Sequence, residues 1–356
     1  MPRCSSQSPL GASLARRDLL IGAAGLALAG CRKSNTTTAS HTPVLKVGQL
    51  EREVTRLALQ ARPGILGFGL MNLESGQHWT LNGEHLFPMQ SVFKAILGAA
   101  ALSEVDAGRL SLAETIAIDG KQLSPPFSPI AEAWPGRTIY TADELLVAAV
   151  SDSDNTAADV LMKRIGGPGA VNAWLQGKSL NGLRIDRYER ELQPEAHGMA
   201  SFREAWKGPA FAAAMATVPP EARRRAQAAY LRDPRDTASP NGMLGFLARL
   251  DGGELLSEAS TLRLMSIMAH SPRGAERLKA GFPKDAAFAH KTGSSGTDLG
   301  VTAAYNDVGV LTLPDRRSYA VAAFLTGSTA PEPARAALMA DLGRVVAASL
   351  GRSRRL

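Results

Sequence analysis

The segments of this 356-residue chain that read as strands lie near its two ends, and those that read as helices fill the middle. One sheet can form only if the ends meet, and that excludes a simple repeat or a bundle. Residues 65–73 and 78–81 read as two strands around the turn residues Glu74-Ser75-Gly76. At the far end, residues 286–290, 301–306, 308–313 and 319–325 read as strands. Between them, residues 92–102 are apolar almost all round, which predicts a buried helix. Thr141 and Glu144 have capping-box spacing ahead of Leu145-Leu146-Val147, and another helix runs from Thr156 to a stop at Gly166-Gly167-Pro168. Two terminal helices are expected, residues 45–61 with Leu50, Val54 and Leu57 on one face, and residues 331–350 with Leu338, Leu342 and Val345. The predicted fold class is α/β (α+β). An antiparallel sheet built from both ends is flanked by the terminal helices and carries an inserted all-helical lobe. A small-molecule site is expected in the cleft between lobes.

The N-terminus points to export. Arg16-Arg17-Asp18-Leu19-Leu20 resembles a twin-arginine signal, and the apolar run over residues 19–30 is too short to span a bilayer. It ends in Leu28-Ala29-Gly30-Cys31, which looks like a lipoprotein cleavage site with Cys31 as the acylated residue; the alternative is a plain signal peptide. The expected organisation is a signal peptide over 1–30, a polar tether over 31–44 and one catalytic domain over 45–350. Within that domain an α/β lobe takes about 45–90 and 245–350, and a helical lobe takes about 91–244. The chain is then periplasmic and held to the membrane only through the lipid on Cys31. Cys4 and Cys31 are its two cysteines, so cleavage before Cys31 leaves no pair for an internal disulfide. The net charge of +7 with 5% aromatics and no basic stripe argues against nucleic-acid binding.

Three short motifs carry chemistry. Ser91 and Lys94 are three apart at a predicted helix start, so the amine and hydroxyl share a face and the helix dipole favours negative charge at Ser91. A lysine acts as a base when burial and a second cation depress its pKa. Ser153-Asp154-Asn155 sits between two helical segments. A hydroxyl there can pass a proton and an amide can orient a substrate, although Ser, Asp and Asn are also ordinary helix caps. Lys291-Thr292-Gly293-Ser294 closes a predicted strand, where Lys291 and Thr292 can bind a carboxylate and the Ser294 N–H can face an oxyanion. No His/Cys cluster has metal-ligand spacing, and neither metal nor cofactor is expected.

Together, in this order, the motifs resemble those of class A β-lactamases and penicillin-binding proteins. The resemblance extends over residues 45–350. It includes Phe87-Pro88-Met89-Gln90 before Ser91, Asp186-Arg187-Tyr188-Glu189-Arg190-Glu191-Leu192-Gln193 as the first half of the class A Ω-loop, and Asp233-Pro234-Arg235-Asp236-Thr237 as its second half. By this resemblance the chain is a monomeric serine β-lactamase that opens β-lactam antibiotics through a Ser91 acyl-enzyme. Lys94 and Glu189 are the implied bases, Ser153 relays a proton and Lys291 supports the site. Asn155, Thr292, Gly293, Ser294 and Gln193 are expected to bind substrate or the hydrolytic water. Arg277 resembles an anchor for the substrate carboxylate, and Phe127 is either an aromatic gate or a core residue. Glu189 favours a β-lactamase over the alternatives, a DD-peptidase or esterase of the same fold and a penicillin-binding lipoprotein that stays acylated.

Two departures bear on hydrolysis. Gln193 stands where the family usually has asparagine. Glu189 and Asp236 are 47 positions apart, so roughly 30–35 residues are inserted, far beyond ordinary loop length. The insertion, about 194–232, is expected to form one or two helices with Phe202, Trp206, Phe211, Met215 and Val218 on an apolar face and Glu221 and Arg223-Arg224-Arg225 facing solvent. It is either a decoration or a substrate-selecting lid.

Overall fold

A computed structural model describes residues 44–350; the predicted signal, Cys31 and nearly all of the tether lie outside the described residues. The two ends do meet in one sheet. Its five antiparallel strands run, in spatial order, His78–Leu81, Ile65–Asn72, Ser318–Thr326, Tyr305–Thr312 and Ala287–Ser294. The last of these is an edge strand, so it presents unpaired backbone groups to the cleft.

The sheet is covered on both faces, and the sequence of its central strand shows why. Along Ser318–Thr326, side chains alternate with a period of two. Tyr319, Val321, Ala323 and Leu325 enter a core with Leu50, Val54 and Leu57 of the helix Val47–Gln60 and with Met339, Leu342 and Val346 of Glu332–Ser349. Ala320, Ala322 and Phe324 enter a second core with Phe246 and Leu247 of Pro240–Asp251, which continues into the helical lobe. A strand buried on both sides reads as an unbroken apolar run, as this one does. At the centre of the lobe, Phe93–Asp106 is buried from Phe93 to Leu102. Thr141 and Glu144 form the expected reciprocal cap, with Glu144 N–H donating to Thr141 Oγ1 at 3.1 Å and Thr141 N–H to Glu144 Oε2 at 2.8 Å.

Several expectations need correction. Residues 301–306 and 308–313 are not two strands. Val301 and Thr302 make only isolated bridges, after a turn in which Leu299 and Gly300 take positive φ. The strand is Tyr305–Thr312, and it runs straight through Asn306-Asp307, across the gap expected at Asp307. They are tolerated in the sheet because their polar groups are used: Asn306 Nδ2 donates to the carbonyls of Pro88 and Met89, and Asp307 faces His290. The inserted lobe is not wholly helical. Phe87–Pro88 pairs with Thr237–Ala238 where the chain enters and leaves it, and Thr115–Ala117 pairs with Ile139–Thr141. Gly166-Gly167-Pro168 both ends Asn155–Arg164 and opens Gly167–Gly177.

The insertion forms two helices beyond Glu189–Ala196, namely Pro209–Ala216 and Pro220–Tyr230. Of its five expected apolar contacts only Phe211 is buried, because residues 198–208 are irregular and break the face. Arg223 does not face solvent. It pairs with Asp298 at 2.7 Å, while Arg224 and Arg225 are exposed.

Candidate active site

Ser91 sits in a tight helical turn, Gln90–Val92, that leads into Phe93–Asp106. Gln90 takes a left-handed φ of 47°, an unusual backbone state for a non-glycine residue. The edge strand lies hard against this turn. A Cβ on Gly293 would stand 2.3 Å from the Met89 carbonyl oxygen, so only glycine permits the approach. Lys94, one turn on, is fully buried. Its Nζ donates to the Ser153 carbonyl at 2.8 Å and to Asn155 Oδ1, and lies 3.2 Å from Glu189 Oε1.

The Ser153-Asp154-Asn155 segment divides its labour. Asp154 is the cap: its carboxylate accepts from the N–H groups of Ala157 and Ile130 and from the Ser128 hydroxyl. Ser153 and Asn155 instead line the cleft. Ser153 is thrown out of the helical path by a left-handed φ of 68° after the π-helical turn Ala148–Asp152. Its Oγ accepts from Lys291 Nζ at 2.9 Å. Burial, with the Lys94 and Arg277 cations nearby, holds the Lys291 ammonium well below the usual lysine range.

Arg277 is buried on the α/β side of the cleft. It donates to the Asn306 carbonyl and to Ser294 Oγ, each at 2.7 Å, and stacks 3.7 Å from the Tyr305 ring centre. Phe127 is 38% exposed, which excludes core packing; Arg273 lies 4.4 Å from its ring centre at the cleft mouth. With Ser91, Ser153, Asn155, Thr292, Ser294 and Gln193, these residues line a cavity of about 530 Å³, the size of a small-molecule site.

Glu189 begins the helix Glu189–Ala196 and is 1% exposed. Two devices hold it. Arg187 pairs with Asp236 at 2.6 Å, and the Asp186 N–H donates to the same carboxylate, so the two ends of the long loop are joined and the insertion bulges beyond them. Asp159 accepts the N–H groups of Glu189 and Arg190 at 2.7 and 3.0 Å, a carboxylate at a helix start. Burial, reinforced by the Glu189 charge, pushes Asp159 up to about 7. Gln193 Nε2 donates to Glu189 Oε2 at 2.7 Å and to Gln90 Oε1 at 2.9 Å, and Gln90 Nε2 donates to Tyr230 Oη at 2.6 Å.

The structure thus brings every cleft residue expected from the sequence to one place; Cys31 lies outside the described residues. The sequence reading missed Asp159, Gln90 and Tyr230 as contributors. Asp159 had a signal, since it lies one helical turn after Asn155 on the same face. Tyr230, 139 positions from Ser91 and inside the insertion, had none.

Comparison with known proteins gives the family. The sequence model of the β-lactamase enzyme family matches residues 49–350. The chain is 30% identical to β-lactamase VEB-1 of Pseudomonas aeruginosa over 290 residues, covering 81% of this chain and 86% of that protein. A solved β-lactamase from Chitinophaga pinensis superposes with a TM-score of 0.70 at 34% identity, over 84% of this chain and 98% of that one. The solved class A β-lactamase of the last common ancestor of Gram-negative bacteria superposes at 0.67 with 32% identity, over 84% and 98%. The chain therefore belongs to the β-lactamase enzyme family, as a class A serine enzyme that hydrolyses β-lactams.

Proposed function

We propose that Ser91 is the nucleophile and Glu189 the deacylating base, with the surrounding residues in the following roles. The β-lactam carboxylate is held by Arg277, Thr292 and Ser294. Lys94, its own proton passed to Glu189 through a water, takes the Ser91 proton, and Ser91 Oγ attacks the ring carbonyl. The N–H groups of Ser91 and Ser294 receive the oxyanion. Ser153 passes a proton to the leaving ring nitrogen as the C–N bond breaks, and Lys291 orients its hydroxyl. Asn155 and Phe127 position the acyl side chain. Glu189 then takes a proton from water as that water attacks the acyl ester, the ester C–O bond breaks, and the proton passes by way of Lys94 to the departing Ser91 Oγ, which returns Ser91 to its free form. The observation that carries this reading is the buried Glu189 carboxylate, 3.2 Å from Lys94 Nζ at one oxygen and hydrogen-bonded by Gln193 at the other. A carboxylate so placed serves both half-reactions.

The test mixes the protein and its Glu189→Gln variant with a chromogenic cephalosporin. Steady turnover is expected from the first, and from the second a single burst with a stable Ser91 adduct in intact-mass spectra. A single burst from the unmutated protein would replace this reading with that of a penicillin-binding protein that stays acylated.

We also infer that the chain is exported by the twin-arginine route, lipidated on Cys31 and active in the periplasm as a monomer. Arg16-Arg17, the apolar run and Leu28-Ala29-Gly30-Cys31 support export and lipidation. Cys31→Ser is expected to abolish incorporation of labelled palmitate and to release the enzyme from membranes.

A further inference from the structure

The insertion contributes the last member of a chain of buried hydrogen bonds that starts at Glu189. Gln193 Nε2 donates one N–H to Glu189 Oε2 and the other to Gln90 Oε1, and Gln90 Nε2 donates to Tyr230 Oη. All four residues are at most 5% exposed. The order of donors follows from the charge at its head. A carboxylate only accepts, so Gln193 must turn its NH₂ towards Glu189. The second proton of that NH₂ then faces Gln90, which must present its oxygen. The NH₂ of Gln90 is left pointing at Tyr230, and the phenol oxygen accepts it. Each amide orientation dictates the next, and the series ends only because Tyr230 supplies an acceptor.

Both N–H groups of Gln193 are therefore committed, and its carbonyl oxygen, on the opposite side of the amide, stays open as an acceptor in a residue that lines the cavity. Gln90 is also the residue with left-handed backbone immediately before Ser91. Tyr230 is itself well held. It ends the helix Pro220–Tyr230, which is docked by Arg223 on Asp298 and by Gln227 Nε2 on the carbonyls of Asp298 and Val301 at 3.3 and 3.1 Å. Its ring packs with Leu192, Ala196 and Ala303. Burial pushes the phenol above its ordinary value, so it stays a neutral hydroxyl at working pH.

We propose that Tyr230 is a positioning residue for deacylation: by fixing the amide of Gln90, and through it that of Gln193, it keeps an N–H on Glu189 and a carbonyl free to hold the hydrolytic water. This rests on the reading of Glu189 as deacylating base. The insertion is then neither a lid nor a bystander. It completes the wiring behind a glutamine that stands where relatives use a shorter amide.

Tyr230→Phe removes one oxygen and keeps the ring. Without an acceptor, Gln90 is free to turn over and Gln193 loses its enforced orientation. Deacylation is expected to slow roughly tenfold, the effect of about 1.4 kcal/mol on a barrier. When only deacylation slows, kcat and KM fall together and kcat/KM stays within about twofold, while acylated Ser91 accumulates in intact-mass spectra. In a Gln193→Ala background the same substitution is expected to add no further loss, because Tyr230 acts through Gln193. A fall in kcat/KM at constant KM, an unchanged kcat, or full additivity with Gln193→Ala would each overturn the proposal. Turnover absent from the unmutated protein would overturn the Glu189 reading and this one with it. Turnover abolished by Glu189→Gln yet untouched by Tyr230→Phe would overturn this one alone.

Discussion

Arg187→Ala removes the cation that joins the ends of the long loop, and the structure sets the size of the effect. Arg187 donates through Nε to Asp236 at 2.6 Å and through Nη1 to Glu195 at 2.8 Å, and lies 3.3 Å from Asp233. Glu195 is half-exposed and keeps Arg235 as a second partner, so its loss counts for less than about 1 kcal/mol. Asp236 differs. Its side chain is 5% exposed, and without Arg187 it becomes a buried carboxylate with no counter-ion. Breaking such a pair costs about 3–5 kcal/mol. The N–H groups of Asp186 and Arg187 still donate to Asp236, which places the expected loss near the lower end, about 3 kcal/mol. At roughly 2–4 °C per kcal/mol for a domain of this size, the melting temperature should fall by about 6–12 °C. Urea unfolding and calorimetry of the Arg187→Ala, Asp236→Ala and double variants measure it. The double variant is expected to be more stable than the sum of the single losses by about 2 kcal/mol or more, since removing the stranded carboxylate relieves the penalty. A loss below about 1 kcal/mol in Arg187→Ala, or strict additivity, would refute the reasoning.

Further outcomes follow from the same geometry. Asp159, at about 7 in the fold against about 3.9 when unfolded, keeps its proton in the folded state across that window after the unfolded chain has lost it. Its contribution to stability therefore falls as pH rises from about 4 to 7 and is flat above, by on the order of a few kcal/mol in all. Unfolding free energies measured across this range should decline less steeply in Asp159→Asn; an unchanged slope would dismiss the buried proton. Gly293→Ala, which places a Cβ 2.3 Å from the Met89 carbonyl oxygen, should push the edge strand from the nucleophile turn and lower kcat/KM by about a hundredfold or more. Arg277→Lys cannot donate to both Asn306 and Ser294 while stacking on Tyr305, so KM should rise about tenfold with a smaller change in kcat. An unaltered KM would remove Arg277 from carboxylate binding.

Much of this was legible before any coordinates. Period-two and helical patterns placed the sheet at the chain ends and the helices between, and motif spacing picked out Ser91, Lys94, Ser153 and Lys291. The failures share one cause. Asp307 read as a gap between two strands because sequence reasoning cannot know that His290, 17 positions away on the neighbouring strand, faces its carboxylate. Arg223 read as a solvated charge because Asp298 is 75 positions distant.

The sequence by itself determined the class of chemistry through the resemblance of its ordered motifs to those of class A β-lactamases, which implies the roles of Ser91, Lys94, Glu189 and Lys291. Only the tertiary structure decided how that chemistry is held. Lys94, Glu189 and Lys291 are buried within reach of one another by packing between lobes, and the lowered position of the Lys291 ammonium depends on that burial. The orientation of Gln193 depends on Gln90 and Tyr230, from the nucleophile turn and the insertion. Hydrogen bonds and desolvation act through space at a few ångströms, and no pattern along the chain encodes which distant residues will supply them.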